Sequence, residues 1–398
     1  MSTVKFFSDP GNGNLGSGNH NPIRITDAAM ITALGDNLQE TWRQILRGVT
    51  AVRPVSRFPV DNYSSRLAAC IEDLKPSGGR SMTHALVDRL FGDMGPVPPD
   101  AFLITATTKA GIDNLELLCR GYPAHAQDIL LSSIPDMISE KLGMRAGGTN
   151  ISASCASSTV ALARGAGLIA QRKTEAVLVC CVDLVTEFIF SGFSALKALS
   201  PFPCRPFDRD RQGLSVGEGA AALLLMSEER AKREDRPPLG TIQGWGMAND
   251  ASHITAPAKS GRGLVQAISQ ALRRAQKQPE EISAINAHGT ATPLNDLSET
   301  KAIKTTFGDQ AYHIPVSSTK SMTGHMMGAT GALEAIFCVY AVQEDIIPPT
   351  IHYQNRDPQC DLDYVPNQAR ALKVRVALSN SFGFGGHNAV LIVKEYRG

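Results

Sequence analysis

The chain has 398 residues, a formal net charge of +1, 43% hydrophobic and 19% charged residues. Near neutrality argues against a polyanion-binding protein, so nucleic acid is not an expected ligand. No apolar run approaches the ~18 residues of a membrane span, and the Gly- and Asn-rich residues 1–20 lack the apolar core of a secretory signal.

The length suits two ordinary domains or one large unit made of two similar halves. The eight cysteines form no CxxC pair and sit mostly in apolar runs, which predicts reduced thiols in a cytoplasmic protein. After a flexible N-terminal tail (residues 1–21), IRITDAAMITALG is expected as a strand and turn. LQETWRQILRGV follows as an amphipathic helix with Trp42, Ile45 and Leu46 on one face. Residues 50–100 are rich in Pro, Arg and Gly and show one short helical run near Thr83 to Leu90. Then come a buried strand (AFLITAT), a helix ended by glycine (IPDMISEKLGM) and a strand (TNISAS). Cys155 stands where that strand stops and a helix of small residues, with almost no polar side, begins.

A thiol at a helix start meets unpaired N–H groups and the positive end of the helix dipole, which favours its ionisation and supplies donors to an oxyanion. Cys155 therefore has two readings, a nucleophile or a packed small residue. AVLVCCVDL is expected as a fully buried strand, and QGLSVGEGAAALLLMS as two strands joined by a glycine-rich turn.

The second half repeats this order. The helix LVQAISQALRRAQ leads to the strands ISAINAHG and IPVSST, a loop KSMTGH and a second helix of small residues, GATGALEAIFCVYAVQ. The closing VRVALSNSFGFGGHNAVLIVKEY is strand, glycine turn, strand. The repetition predicts a duplicated α/β unit with both small-residue helices packed between sheets.

Three stretches, DASHITAP, HGTATPLND and TKSMTGH, are expected as loops at strand ends, where α/β sheets hold ligands. They bring forward His288, with Thr290 and Thr292 at a spacing of two, and His325. Glu334, on an otherwise apolar helix, needs a partner, and Lys320 is the natural one. No metal-ligand spacing or phosphate loop is present. The turn SFGFGG is either a tight hairpin or a backbone donor aimed at a carbonyl oxygen.

Together SASCASS, PFDRDRQGLSVGEGA, DASHITAP, HGTATPLND, STKSMTGHMMGATGALEAIF and NSFGFGGHN resemble, in order, the β-ketoacyl-acyl carrier protein synthases, the condensing enzymes of the thiolase superfamily. The resemblance runs from about Pro22 to the C-terminus. Two histidines, rather than a histidine and an asparagine, mark the chain-extending branch.

The resemblance implies an α/β, thiolase-like duplicated αβαβα five-layer fold, with one half at 22–235 carrying the nucleophile and the other at 236–398 carrying the histidines. It implies an acyltransferase that condenses an acyl group held on Cys155 with malonyl-acyl carrier protein. His288 and His325 hold the malonyl thioester carbonyl, and Lys320 and Glu334 orient the histidine loop. The N–H groups of Cys155 and Phe384 form an oxyanion hole, Phe384 gates the acyl channel, and Thr290 and Thr292 bind pantetheine. Substrates arrive on the phosphopantetheine of acyl carrier protein, with no resident cofactor. The chain is expected as a homodimer or as a heterodimer with a related subunit.

The alternatives are a ketosynthase of polyketide or aryl-polyene synthesis, and a non-catalytic partner like the chain-length factors, which typically lack the cysteine. A non-decarboxylating thiolase would need a second active cysteine near the C-terminus. Three features depart from the family pattern: Ala153 and Ser154 before the nucleophile, His387 after the glycine turn, and a short region over 66–100.

Overall fold

The computed structural model describes residues 22–76, 78–145 and 147–396; the expected tail (1–21) lies outside them. The chain begins with β1 (Ile23–Thr32), α1 (Leu38–Leu46), β2 (Arg53–Pro54), β3 (Leu67–Ala69), α2 (Met82–Gly92) and β4 (Phe102–Ala106). Next come α3 (Ile112–Cys119), α4 (Ser133–Leu142), β5 (Thr149–Ile151), α5 (Ser157–Ala170), β6 (Ala176–Asp183) and α6 (Glu187–Ala195). It continues with β7 (Val216–Gly217), β8 (Gly219–Ser227), α7 (Glu228–Arg233), β9 (Gly240–Asn249), α8 (Arg262–Ala275), β10 (Ala284–Asn286) and α9 (Pro293–Phe307). Last are β11 (Val316–Ser317), α10 (Lys320–Thr323), α11 (Thr330–Glu344), β12 (Ile346–Ile347), β13 (Arg370–Ala371), β14 (Val376–Gly383) and β15 (His387–Lys394).

The large sheet has the order β11-β10-β14-β15-β9-β1-β8-β6-β4-β5. Its middle joint is slight, because β1 meets β9 only through Ile23–Ile25 against Gly240–Ile242. The sheet is thus two five-stranded leaves of one plan. In the first, β5, β4 and β6 are parallel, with β8 and β1 antiparallel beyond them. In the second, β11, β10 and β14 are parallel, with β15 and β9 antiparallel beyond them. Helix α5 touches β4, β6 and β8 of one leaf and β9 and β15 of the other, and α11 touches β8 as well as β14 and β15. Outside them, α2 and α4 cover the first leaf, while α8 covers β9 and β15 with α9 beside it. The layers run αβαβα, as the resemblance implies.

The small residues of the central helices allow this spacing. A Cβ on Gly165 would sit 3.0 Å from Val177, and one on Gly331 only 1.9 Å from the Thr159 hydroxyl. That hydroxyl is already bonded to Ser381 at 2.7 Å, and Ser158 accepts the Ala332 N–H at 3.0 Å. Strands β6 and β8, buried at every residue, are continuous apolar runs because helices cover both faces.

The expected glycine-turned pair in QGLSVGEGAAALLLMS is corrected. β7 pairs with β3 in a small separate sheet, and the chain runs on through Glu218 into β8. The two glycines admit close backbone approach instead of a turn: a Cβ on Gly217 would lie 2.3 Å from the Thr323 carbonyl, and one on Gly219 2.5 Å from that of Ile31. Glu218 accepts both Arg57 N–H groups, at 2.5 and 2.6 Å, and the Ile71 and Val185 N–H groups, at 2.7 and 2.9 Å. The antiparallel pair that answers β14–β15 is β6–β8, whose members are far apart in sequence. KSMT, expected as a loop, forms the short helix α10. Helix α9 takes in the end of HGTATPLND, expected as a loop, because the first half of its buried face is polar, with Asn295, Asp296, Ser298, Glu299 and Thr300, and only the second half buries Ala302, Ile303 and Phe307; α3 and α6 lie outside the expected elements.

Substitution Gly331→Ala should overpack the α5–α11 crossing at a cost of about 1–3 kcal/mol. Thermal melts measure it, and an unchanged melting temperature would show that the crossing has slack.

Candidate active site

Cys155, His288 and His325 line one cavity of about 350 Å³, together with Thr290, Thr292, Phe193 and Phe384. The nucleophile candidate comes from the first half and the histidines from the second. Cys155 sits in a tight turn: Ser154 has φ 52°, a left-handed value that serine rarely adopts. The Ser157 hydroxyl closes the turn, donating to the Ser154 carbonyl at 2.5 Å and accepting from the Ala153 N–H at 2.8 Å. The helix proper begins at Ser157.

One expectation is corrected here. Burial pushes the Cys155 thiol up to about 11, against the opposing pull of Lys109 and Lys320. Desolvation outweighs the helix start, so the resting group is a thiol.

His288 leaves β10 on a backbone clamped by Glu299, whose carboxylate accepts the N–H groups of His288 and Gly289, both at 2.8 Å, and the Asn380 amide at 3.1 Å. Asp296 likewise accepts the Phe207 and Ala291 N–H groups at 2.7 and 3.1 Å. His325 is held by its N–H to the Ser215 carbonyl at 2.7 Å. Its Nδ1 accepts the Met327 N–H at 3.2 Å and lies 3.0 Å from the Thr330 hydroxyl. An accepting Nδ1 places the hydrogen of the neutral ring on Nε2.

The two rings stand perpendicular, at 87°, with centroids 5.3 Å apart. Burial first, and then the Lys320 charge, hold both imidazoles well below the usual 6.5, so both are neutral near pH 7.

Lys320 and Glu334 meet as anticipated, Nζ to Oε1 at 2.5 Å, each about 1% exposed. Thr290 and Thr292 place their hydroxyls 2.9 Å apart. Phe384 is half-buried, tilted against Phe193 at 5.9 Å, and followed by Gly385 and Gly386 with φ 88° and 79°. Gly383 brings this turn to Cys155, since a Cβ there would lie 2.8 Å from the Ala153 carbonyl and 3.3 Å from the Cys155 nitrogen. In the DASHITAP loop, Ile254 accepts the Gly385 N–H at 2.6 Å. His387 opens β15 opposite Gly383 and Asn249, outside the cavity lining.

The sequence reading missed the carboxylates that shape the backbone: Asp183, Glu218, Asp296 and Glu299. Their signal is a carboxylate amid residues destined for burial, the same signal that marked Glu334.

The cavity unites a thiol with two neutral imidazoles, a set suited to acyl transfer and to stabilising an enolate. Known proteins agree with that class. Residues 106–231 match the family described as beta-ketoacyl synthase, N-terminal domain, and residues 239–354 its C-terminal domain. The chain is 37% identical to 3-oxoacyl-[acyl-carrier-protein] synthase 2 of Synechocystis sp., across 94% of this chain and 98% of that one. Its fold is similar to the ishigamide ketosynthase/chain length factor, with TM-score 0.85 and 30% identity over 95% of this chain and 100% of that one. It is also similar to a chain of AntDE:AntF, a type II polyketide synthase acyl-carrier protein in complex with its ketosynthase, with TM-score 0.84 and 28% identity over 95% and 100%. The chain belongs to the β-ketoacyl synthase family, whose members are condensing acyltransferases.

The buried pair yields a pH prediction. Burial pushes the Glu334 carboxyl up to about 7 from 4.5, against the pull of Lys320. Lys320→Met removes that pull and leaves the carboxyl without its partner, at a cost of about 3–5 kcal/mol. Between the unfolded and the raised folded value the folded chain keeps a proton that the unfolded chain has lost, so stability falls as pH rises. Melts at about pH 5 and about pH 8 should show a wider gap from wild type at the higher pH; an equal gap would refute the coupling.

Proposed function

We propose that the protein is a 3-oxoacyl-[acyl-carrier-protein] synthase of fatty acid-type elongation. The observation that carries the reading is the meeting of Cys155 with two neutral imidazoles in one cavity. The Cys155 sulfur attacks the acyl thioester, its proton leaves with the carrier thiol, and the acyl group rests on the enzyme. Malonyl thioester then enters and loses carbon dioxide. His288 and His325 donate N–H bonds to the thioester oxygen, whose negative charge develops chiefly in the transition state. Neutral rings suit this role because a cation would trap the enolate. The carbanion attacks the acyl carbonyl, a carbon–carbon bond forms, and the Cys155 thiolate departs and takes a proton from solvent.

In this scheme the N–H groups of Cys155 and Phe384 hold the oxyanion, which the approach of Gly383 to Cys155 supports. Thr290 and Thr292, side by side in the cavity lining, bind the pantetheine arm. Lys320 with Glu334 anchors the histidine loop. Both substrates arrive on the phosphopantetheine of acyl carrier protein, and no resident cofactor is assigned. The unpaired cysteines fit a reducing cytoplasm; among the described residues no helix is long and apolar enough to cross a membrane.

The outer edge of β5 has no neighbouring strand among the described residues. It suits pairing with a second copy or with a related subunit; the similar ishigamide structure is titled a ketosynthase/chain length factor.

Substitution of His288 or His325 by Ala should abolish malonyl decarboxylation while acyl transfer to Cys155 remains measurable by mass spectrometry. Cys155→Ala should do the reverse, losing condensation while decarboxylation persists. Acylation at another cysteine, or decarboxylation at the wild-type rate in a histidine variant, would defeat the assignment.

Phe384 tests the gate. Its half-buried ring between a glycine turn and Phe193 favours a side chain that swings over one packed in a core. Phe384→Ala should change acyl-chain preference and the acylation rate with little loss of melting temperature. A loss equivalent to the ~3–5 kcal/mol of a core phenylalanine, with chain preference unchanged, would rule the gate out.

A further inference from the structure

Strand β6 is apolar from Ala176 to Val182 and then ends on a carboxylate, Asp183, which is 2% exposed. Among the described residues no arginine or lysine forms a direct ion pair with it, so its burial is compensated by the nearby Lys109 charge and by hydrogen bonds. On one side Oδ1 accepts the Thr107 hydroxyl at 2.9 Å and the Thr108 N–H at 3.1 Å. The Thr108 hydroxyl lies 3.3 Å from both carboxylate oxygens and itself accepts from the Lys109 ammonium at 3.0 Å.

On the other side Oδ2 accepts the Gly328 N–H at 2.7 Å. Gly328 follows Met327, the residue whose own N–H points at His325 Nδ1 and whose φ of 48° is left-handed. A left-handed methionine persists only where its neighbours hold it. Gly328 is confined as well: a Cβ there would lie 2.7 Å from Asp183 Oδ2, 2.9 Å from Thr108 and 3.3 Å from the hydroxyl of Ser157, which closes the Cys155 turn.

We propose that Asp183 is a positioning residue for His325. Its carboxylate, fixed by the Thr107–Thr108 corner of the nucleophile half, grips Gly328 and so holds the Met327 N–H on Nδ1 of a histidine from the other half. That N–H keeps Nδ1 an acceptor and Nε2 a donor toward substrate. The role rests on the condensation reading, since it is decarboxylation that needs the donor; acyl transfer to Cys155 does not use His325 in the proposed scheme.

The test is Asp183→Asn in the full-length protein, with purified malonyl- and acyl-acyl carrier protein. The amide keeps one acceptor oxygen, so its NH₂ must face the N–H of either Gly328 or Thr108, and one grip is lost. Malonyl decarboxylation should fall about 10- to 100-fold, the scale of a misplaced catalytic group. Acylation of Cys155, followed by mass spectrometry, should fall less than about threefold. If Asp183→Asn does not fold, Thr107→Val decides: it keeps the shape, removes one fixing hydroxyl, and should show a smaller loss with the same selectivity. Equal losses of the two activities, or no loss of decarboxylation, would overturn the inference while leaving the proposed function standing. A wild-type protein that acylates Cys155 but never decarboxylates malonyl thioester would overturn the proposed function and this inference with it.

Discussion

The close crossing of α5 and α11 is the constraint on which the rest depends. Two helices can lie side by side between two sheets only if their contact faces are nearly bare, and Gly331 against Thr159 leaves no room for one more carbon. Because α5 follows Cys155 and α11 follows His325, that crossing also ties the backbone of Cys155 to that of His325. Overpacking here would act on the chemistry as well as on stability.

Around that crossing, buried carboxylates hold the backbone at its turns and strand switches. Glu299 grips the His288 backbone, Asp296 the turn that follows it, Glu218 the strand switch before β8, and Asp183 the turn after His325. Each is saturated mainly by N–H and hydroxyl donors, and only Glu218 has a direct bidentate arginine. Such sites are costly to bury and costly to disturb. They frame the cavity around Phe384 and its glycine turn.

Burial also resolves the electrostatics in one direction. It raises the Cys155 thiol and lowers both imidazoles, so the three groups that meet in the cavity are neutral at rest. In the proposed reaction charge arises only as enolate or oxyanion, where fixed donors stabilise it most. The helix start, which alone would favour a thiolate, is the weaker influence at this depth.

Much of this was legible in the residues themselves. Continuous apolar runs marked the buried strands, small residues without a polar side marked both central helices and implied sandwiching, and the misfit of Glu334 on an apolar helix called for Lys320. The duplication could be read because the same order of elements recurs, and the motifs carried the family. Other features depended on contacts between residues remote in sequence. The partner of β6 is β8, far along the chain, and α9 hides its buried face behind polar side chains. The ionisation of Cys155 follows from the protein stacked around it, and the role of Asp183 from a glycine 145 residues away. Local pattern records which face a residue turns to the interior; which groups meet there, and what their meeting does to proton affinity and hydrogen-bond direction, is set by packing between halves that the chain brings together only when folded.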